Sequence, residues 1–193
     1  MVRAEKEFYF CMTIFKLPEH KPVYLNHHDC ILKLEKNAGV FMHYLEDTPR
    51  DEYLWRYENG KWCLLEIICH LYDEEREDFR TRLQFAVESS KLLPPLIDPV
   101  NWVKSRDYIS QDFTVVLNNF LEERKKSVNW LKSIDEISWD HKFQHPALGW
   151  VSASFFLTNW LAHDYLHLRQ ITRIKYWHLK ISSDEELKYA GEW

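Results

Sequence analysis

Residues 160–171, Trp-Leu-Ala-His-Asp-Tyr-Leu-His-Leu-Arg-Gln-Ile, contain two histidines four positions apart, His163 and His167. They lie in a long segment, from Val151 to Ala190, that contains neither glycine nor proline. In a helix, the spacing i, i+4 places two side chains on one face, one turn apart. Two imidazoles in this arrangement can bind the same divalent metal ion. The stretch therefore predicts a helix that carries two ligands of a metal site.

A third ligand has to come from another segment, and His70 is the best candidate. It stands in residues 69–75, Cys-His-Leu-Tyr-Asp-Glu-Glu, which belong to another segment with a helical pattern. Three neutral imidazoles suit zinc, nickel, cobalt or iron(II). Three protein ligands also leave a coordination position open, as in catalytic zinc sites. The chain has ten histidines, so a pair at this spacing also arises by chance, and spacing alone leaves both interpretations open.

Polar side chains about one turn from the candidate ligands suggest supporting roles. Asp73 and Glu74 follow the first histidine by three and four residues, and Gln170 follows the last by three. A group that accepts the spare imidazole N–H fixes the tautomer and makes the ligand more basic. We predict catalytic or orienting roles for Asp73, Glu74 and Gln170, with either carboxylate a fourth ligand or proton acceptor. The alternative is a solvated face, because the run from Asp73 to Arg82 is highly charged.

Four segments have the apolar periodicity of amphipathic helices, in which apolar residues recur every three or four positions. The predicted helices cover residues 26–47, 63–89, 110–133 and 151–179, with Ser110 as the N-cap of the third. Residues 91–106 contain three prolines and form a long connection, which permits a crossover between parallel helices. Residues 141–149 are predicted to be a loop. The pattern predicts an all-α fold, a four-helix bundle.

Composition excludes several functional classes. The 193 residues suit one domain with a sizeable core, and the net charge of −5 argues against a general nucleic-acid-binding protein. No apolar run approaches the roughly 20 residues of a membrane span, and the first residues make a poor signal peptide. The four cysteines lack metal-motif spacing and disulfide-scaffold density. We expect a cytoplasmic protein that acts on a small molecule, without nucleic-acid or membrane partners, and leave a homodimer open.

Two parts of the sequence resemble the DinB-like proteins. Residues 145–149, His-Pro-Ala-Leu-Gly, and residues 163–170, His-Asp-Tyr-Leu-His-Leu-Arg-Gln, are similar to the region of the family's last helix. Residues 60–62, Gly-Lys-Trp, and residues 70–76, His-Leu-Tyr-Asp-Glu-Glu-Arg, are similar to the region of its second helix. One departure is Cys63, where members of the family commonly carry Ser or Thr as the helix cap.

The resemblance covers residues 24–178 and implies a four-helix bundle of up-down-down-up topology, with the long crossover between helices two and three. It leaves residues 1–23 as an N-terminal arm, in which residues 7–15 alternate loosely like a short strand, and residues 179–193 as a C-terminal tail. It also implies that the three histidines bind a divalent metal ion. We expect zinc or nickel before iron or manganese.

The resemblance does not determine the reaction. Members include thiol-dependent enzymes, such as bacillithiol S-transferases and a mycothiol-dependent maleylpyruvate isomerase, and others are described as metal-dependent hydrolases. We prefer an S-transferase that joins a low-molecular-weight thiol to a small electrophile, because a bundle core with one open face suits both molecules. The alternatives are a metal-dependent hydrolase, which uses an acidified water, and a noncatalytic metal-binding stress or interaction protein.

Overall fold

A computed structural model describes residues 26–191, so the predicted N-terminal arm and its short strand lie outside the described residues. The second long helix is continuous but changes geometry, from α to π and back to α. The elements, in chain order and leaving aside three short 3-10 helices, are α1 His27–Leu45, α2 Arg50–Tyr53, α3 Leu64–Asp73, a π-helical segment Glu74–Phe79, α4 Arg80–Val87, α5 Pro99–Ser105, α6 Phe113–Leu131, β1 Lys142–His145, β2 Gly149–Ser152 and α7 Ala153–Ser182. The long helices form the predicted all-α four-helix bundle.

The helix starts follow from capping side chains. The side chain of Asn26 accepts the N–H of Asp29 at 2.8 Å, which begins α1 where the sequence predicted. The prediction of Ser110 as the cap of α6 was wrong, because the side chain of Asp112 accepts the N–H of Val115 at 2.9 Å instead. The Ser110 hydroxyl donates to a nearby carbonyl within a separate turn. A carboxylate at the N-cap also interacts favourably with the helix dipole, so α6 begins beside Asp112.

The cap of α3 shows how the chain begins a helix with Cys63 where the resemblance leads us to expect Ser or Thr. The Cys63 N–H donates to the carboxylate of Glu66 at 2.9 Å, and Arg56 also donates to that carboxylate, at 2.8 Å. Glu66 thus satisfies a backbone donor that the helix itself leaves unpaired. Its carboxylate is engaged at the helix start.

The second and third long helices run parallel. Their contacts advance together along both, from Glu75–Arg124 to Arg80–Ser127. The connection between them contains α5, and its Arg106 binds back to the π-helical segment through Glu77 at 2.7 and 2.8 Å. The long crossover predicted at residues 91–106 therefore joins two helices of the same direction.

The first and last long helices also run parallel to each other, since their contacts advance from His27–Ser154 to Asn37–Asp164. The last helix opposes the second: His70 lies against His167, whereas Phe79, further along the second helix, lies against Trp160, which comes earlier on α7. This is the up-down-down-up order. It places the middle of α3 against the middle of α7, where the candidate ligands lie.

A short hairpin replaces most of the predicted loop at residues 141–149. Strands β1 and β2 pair in antiparallel register, with Phe143 opposite Val151, and both of these side chains are buried. Gly149 opens β2 with a positive φ of 74°, a backbone conformation that glycine adopts without strain. The hairpin was not predicted because each strand is so short that the alternation of apolar and polar residues repeats only twice, which is too little to recognise a strand.

None of the helices among residues 26–191 is long and apolar enough to cross a membrane. The three cysteines in that range, Cys30, Cys63 and Cys69, are buried free thiols, so they pack as small apolar side chains of the core. Helix α7 continues to Ser182, three residues beyond the predicted end, since nothing in residues 180–182 interrupts it.

Candidate metal centre

The antiparallel packing of α3 on α7 brings the three predicted ligands together. The Nε2 atom of His163 lies 3.3 Å from Nε2 of His70 and 3.0 Å from Nε2 of His167. A tetrahedral ion at about 2.0–2.1 Å from each ligand separates two ligand nitrogens by roughly 3.3 Å. The three side chains therefore fit a single metal ion, and they form the group of potential ligands found among the described residues.

The environment of the triad favours neutral imidazoles. Burial lowers the pKa of His70 and of His163 well below the ordinary value, and the neighbouring His167 adds to both effects. Burial also lowers the pKa of His167 to about 4. A neutral imidazole keeps a lone pair on one ring nitrogen, which a metal ion needs. The donor set is therefore ready for a cation at neutral pH.

Gln170 is hydrogen-bonded to His167, and its predicted orienting role stays a prediction. The Nδ1 atom of His167 lies 2.9 Å from Oε1 of Gln170, one turn further along α7. With the amide oriented this way, Nδ1–H donates to the oxygen, and the lone pair of His167 belongs to Nε2. The atom that points to the other two histidines is thus the one able to bind an ion.

Glu74 lies on the other side of the triad, close to His70. Its Oε1 atom is 4.0 Å from Nδ1 of His70, both side chains are buried, and neither atom has a hydrogen-bond partner among the described residues. Burial, with Asp78 nearby, raises the pKa of Glu74 to about 9. Buried polar atoms without partners are uncommon and are often satisfied by water or an ion. This pair is consistent with a site that takes up another polar group.

Asp73 is buried but has other partners. Its carboxylate accepts hydrogen bonds from Tyr108 at 2.7 Å and from Arg76 at 2.6 Å, and it forms an ion pair with Arg106 at 2.7 Å. Arg106 lies at the end of the crossover and Tyr108 just after it, so Asp73 ties this part of the chain to the end of α3. These protein contacts are sufficient to explain why the Asp73 carboxylate is buried. A catalytic role for Asp73 therefore stays a prediction.

Aromatic side chains line the triad. The ring centroid of Trp62 lies 4.9 Å from that of His70, and the centroid of Phe79 lies 4.9 Å from that of His163. Trp160 belongs to the core: it is buried and stacks behind Phe79 at 5.7 Å. The walls are therefore Trp62 and Phe79, and they reduce the access of water to the nitrogens.

The interpretation of residues 73–82 as a solvated face was wrong for Asp73, Glu74 and Glu75, which are all buried. Burial of Glu75 is possible because Arg124 donates to its two oxygens at 2.9 and 3.0 Å. The role of Arg124 was not predicted from the sequence. The available signal was its place on the apolar stripe of α6, four residues after Phe120, where a charged side chain has to be buried.

Comparisons with known proteins agree with this architecture. The sequence profile of the DinB superfamily matches residues 33–171. No curated protein shows a significant sequence match to the chain. A similar solved structure is YfiT from Bacillus subtilis, described as a probable metal-dependent hydrolase with an unusual four-helix bundle topology. It aligns with a TM-score of 0.70 and 18% sequence identity, over 81% of this chain and 91% of that chain, which supports the fold.

Proposed function

The chain belongs to the DinB superfamily, and from its membership and the buried triad we propose that it is a divalent-metal-dependent hydrolase of small molecules. The observation that carries the proposal is the convergence of three neutral imidazole nitrogens within bonding range of one ion. This proposal places hydrolysis ahead of the S-transfer preferred from the sequence. The description of the similar structure as a probable metal-dependent hydrolase supports that order.

When bound, a divalent ion would supply Lewis acidity, which polarises a carbonyl or phosphoryl oxygen and makes a bound water or thiol more acidic. The three imidazoles are neutral and would not offset its charge. Zinc or nickel suits this donor set best, and iron(II) or manganese is kept as a further choice to be tested.

The protein's own residues divide the remaining work. Gln170 fixes the tautomer of His167, and thereby the direction of its lone pair. Glu74 is placed beside His70 to give or accept a proton at Oε1. We assign Asp73 to positioning, because it anchors the chain after the crossover through Tyr108.

Thiol transfer is the second candidate, and the aromatic walls favour it. Trp62 and Phe79 would suit an apolar electrophile beside the triad. The nucleophile would be a small-molecule thiol, because burial raises the pKa of Cys69 to about 12 and makes that side chain a poor thiolate donor. Hydrolysis and thiol transfer both need the same open coordination position on the metal ion, so activity assays have to distinguish the two reactions.

The test starts from metal-free protein reloaded in parallel with zinc, nickel, iron(II) or manganese. Ester, amide and phosphoester substrates are compared with thiol–electrophile mixtures. His167→Ala is the blank, and His178→Ala, a histidine on the same helix that packs on Trp55, is the matched control. Metal-dependent hydrolysis that only His167→Ala abolishes supports the proposal. Thiol turnover without hydrolysis moves the assignment to S-transfer, and no turnover with bound metal leaves the noncatalytic alternative.

A further inference from the structure

Arg124 of α6 lies at the centre of a buried polar cluster that joins the four long helical segments. Its guanidinium donates to the two oxygens of Asp164 on α7, at 2.7 and 2.8 Å, and its Nε donates to Glu75 in the π-helical segment. It also donates to the Leu34 carbonyl of α1 at 3.2 Å. The three charged side chains are at most 1% exposed. Charges buried this deeply are tolerated only when they are well paired.

Two further side chains complete the cluster. The amide of Asn37 on α1 donates to Asp164 at 2.9 Å, and the indole N–H of Trp160 donates to Glu75 at 3.0 Å. Each carboxylate therefore has a second donor besides Arg124. A buried network with this degree of satisfaction has a defined geometry, because any rotation of its members leaves a polar atom unpaired.

The two carboxylates are next to the candidate metal centre along the chain. Asp164 directly follows His163, and Glu75 directly follows Glu74, the neighbour of His70. The guanidinium of Arg124 therefore holds Asp164, the residue next to His163, and Glu75, the residue next to Glu74. It comes from α6, which contributes none of the three histidines. Since adjacent helical residues are rotated by about 100°, turning either helix about its axis would move both the carboxylate and the ligand.

We propose that Arg124 is a positioning residue of the histidine triad. By holding Asp164 and Glu75 to a single planar group, it sets the relative rotation of α7 and the π-helical segment at which the Nε2 atoms of His70 and His163 converge. A guanidinium suits this role because its donors have a fixed fork geometry, whereas the lysine ammonium is a point charge on a flexible stem. The inference rests on the metal site of the proposed function.

The experiment measures Co²⁺ binding by visible absorption, and Zn²⁺ affinity by competition with a chelator, in the full-length protein. Arg124→Lys keeps the charge and loses the fork. We expect its affinity to fall about 10- to 100-fold, with a changed Co²⁺ spectrum, as for groups that orient metal ligands. The matched control is Arg80→Lys, whose arginine joins the second and third long helical segments through Glu123 at 2.6 Å and, within residues 26–191, donates to neither Asp164 nor Glu75. Its affinity should stay within about twofold.

A folded Arg124→Lys protein with the affinity and spectrum of the unchanged protein would overturn the role of Arg124. If this variant does not fold, Asn37→Ala decides, because it removes one donor to Asp164 and no charge. We expect it to weaken Zn²⁺ binding about two- to tenfold and to shift the Co²⁺ spectrum in part; unchanged binding would overturn the inference. Failure of the unchanged protein to bind either ion would instead overturn the proposed metal site, and this inference with it.

Discussion

Oε1 of Gln170 lies 2.9 Å from Nδ1 of His167, one turn apart on the last helix. This contact determines which ring nitrogen of His167 carries the proton, and therefore that its lone pair points towards the other two histidines. An orienting residue acts on metal affinity more than on folding, because a single partly exposed hydrogen bond contributes only about 0.5–1.5 kcal/mol to stability. The effect on metal affinity and the effect on folding stability can therefore be measured separately.

Gln170→Ala should lower the affinity for zinc about 10- to 100-fold while the melting temperature of the metal-free protein changes little. The affinity is measured by chelator competition and the melting by circular dichroism. Asn159→Ala is the control, since this side chain donates only to a carbonyl of its own helix at 2.8 Å. Equal zinc affinities of the two variants would contradict the orienting role.

The stability of the metal-free protein should depend on pH through His167. Its pKa is about 4 in the folded state and about 6.5 when exposed, so the unfolded chain binds the extra proton first. The stabilisation is therefore present above about pH 6.5 and is lost as the pH falls towards 4, by about 3 kcal/mol. Urea unfolding from pH 7.5 to 4.5 measures it.

Other groups titrate in this range, so the relevant quantity is the difference between the unchanged protein and His167→Gln. The raised pKa of Glu74 makes the stability change with pH in the opposite direction to His167. This contribution is present in both proteins and therefore cancels from the difference between them. The variant should lose less stability on acidification. Identical slopes of unfolding free energy against pH would show that His167 is already protonated, or exposed, in the folded protein.

Glu74→Gln tests the buried carboxyl beside His70. Because the pKa of Glu74 is raised to about 9, its protonated form is favoured in the folded protein, and its stabilisation is lost as the pH rises from about 4.5 to 9. Gln has the shape of the neutral acid, so the variant should fold as well as the unchanged protein at pH 4.5 and increasingly better as the pH rises towards 9. In the hydrolysis or thiol-transfer assay in which the unchanged protein is active, turnover by the variant should fall at least about 100-fold if Glu74 transfers the proton. Unchanged turnover would remove it from the mechanism; exposed Glu58→Gln is the control.

Phe79→Ala removes an aromatic wall that contacts both His163 and Trp160. We expect a loss of about 3–5 kcal/mol in the free energy of unfolding, because a large buried side chain leaves a cavity. Phe155→Ala is the control, since this ring is 39% exposed, and it should cost less than about 1 kcal/mol. Urea unfolding of both variants checks the prediction, and a cost for Phe79→Ala no larger than that of the control would contradict it.

Local sequence signals were sufficient for much of the bundle. The last helix was predicted at 151–179 and is found at Ala153–Ser182, with Ser152 as its cap. Its apolar period and the absence of glycine and proline are properties of the segment itself, so they can be read without partners. The same holds for the i, i+4 histidine pair, whose shared face follows from helix geometry.

The buried charges could not be predicted in this way. Glu75 has the sequence context of a surface helix, and it is buried because Arg124, 49 positions away, binds it. The π-helical segment Glu74–Phe79 also departs from the 3.6-residue period used to assign faces, which made the charged run resemble a solvated surface. Both features depend on contacts between distant parts of the chain.

The sequence by itself determined the helices, the ligand types and the face that carries His163 and His167, because helix periodicity relates residues a few positions apart. Only the tertiary structure decided that His70 meets that face, that Glu74 lies beside it while Asp73 binds Tyr108, and that Arg124 is enclosed by two carboxylates. The physical reason is that burial of a polar group depends on partners. A charge is stable inside the bundle only where another helix supplies its counter-charge, and helix packing sets that position.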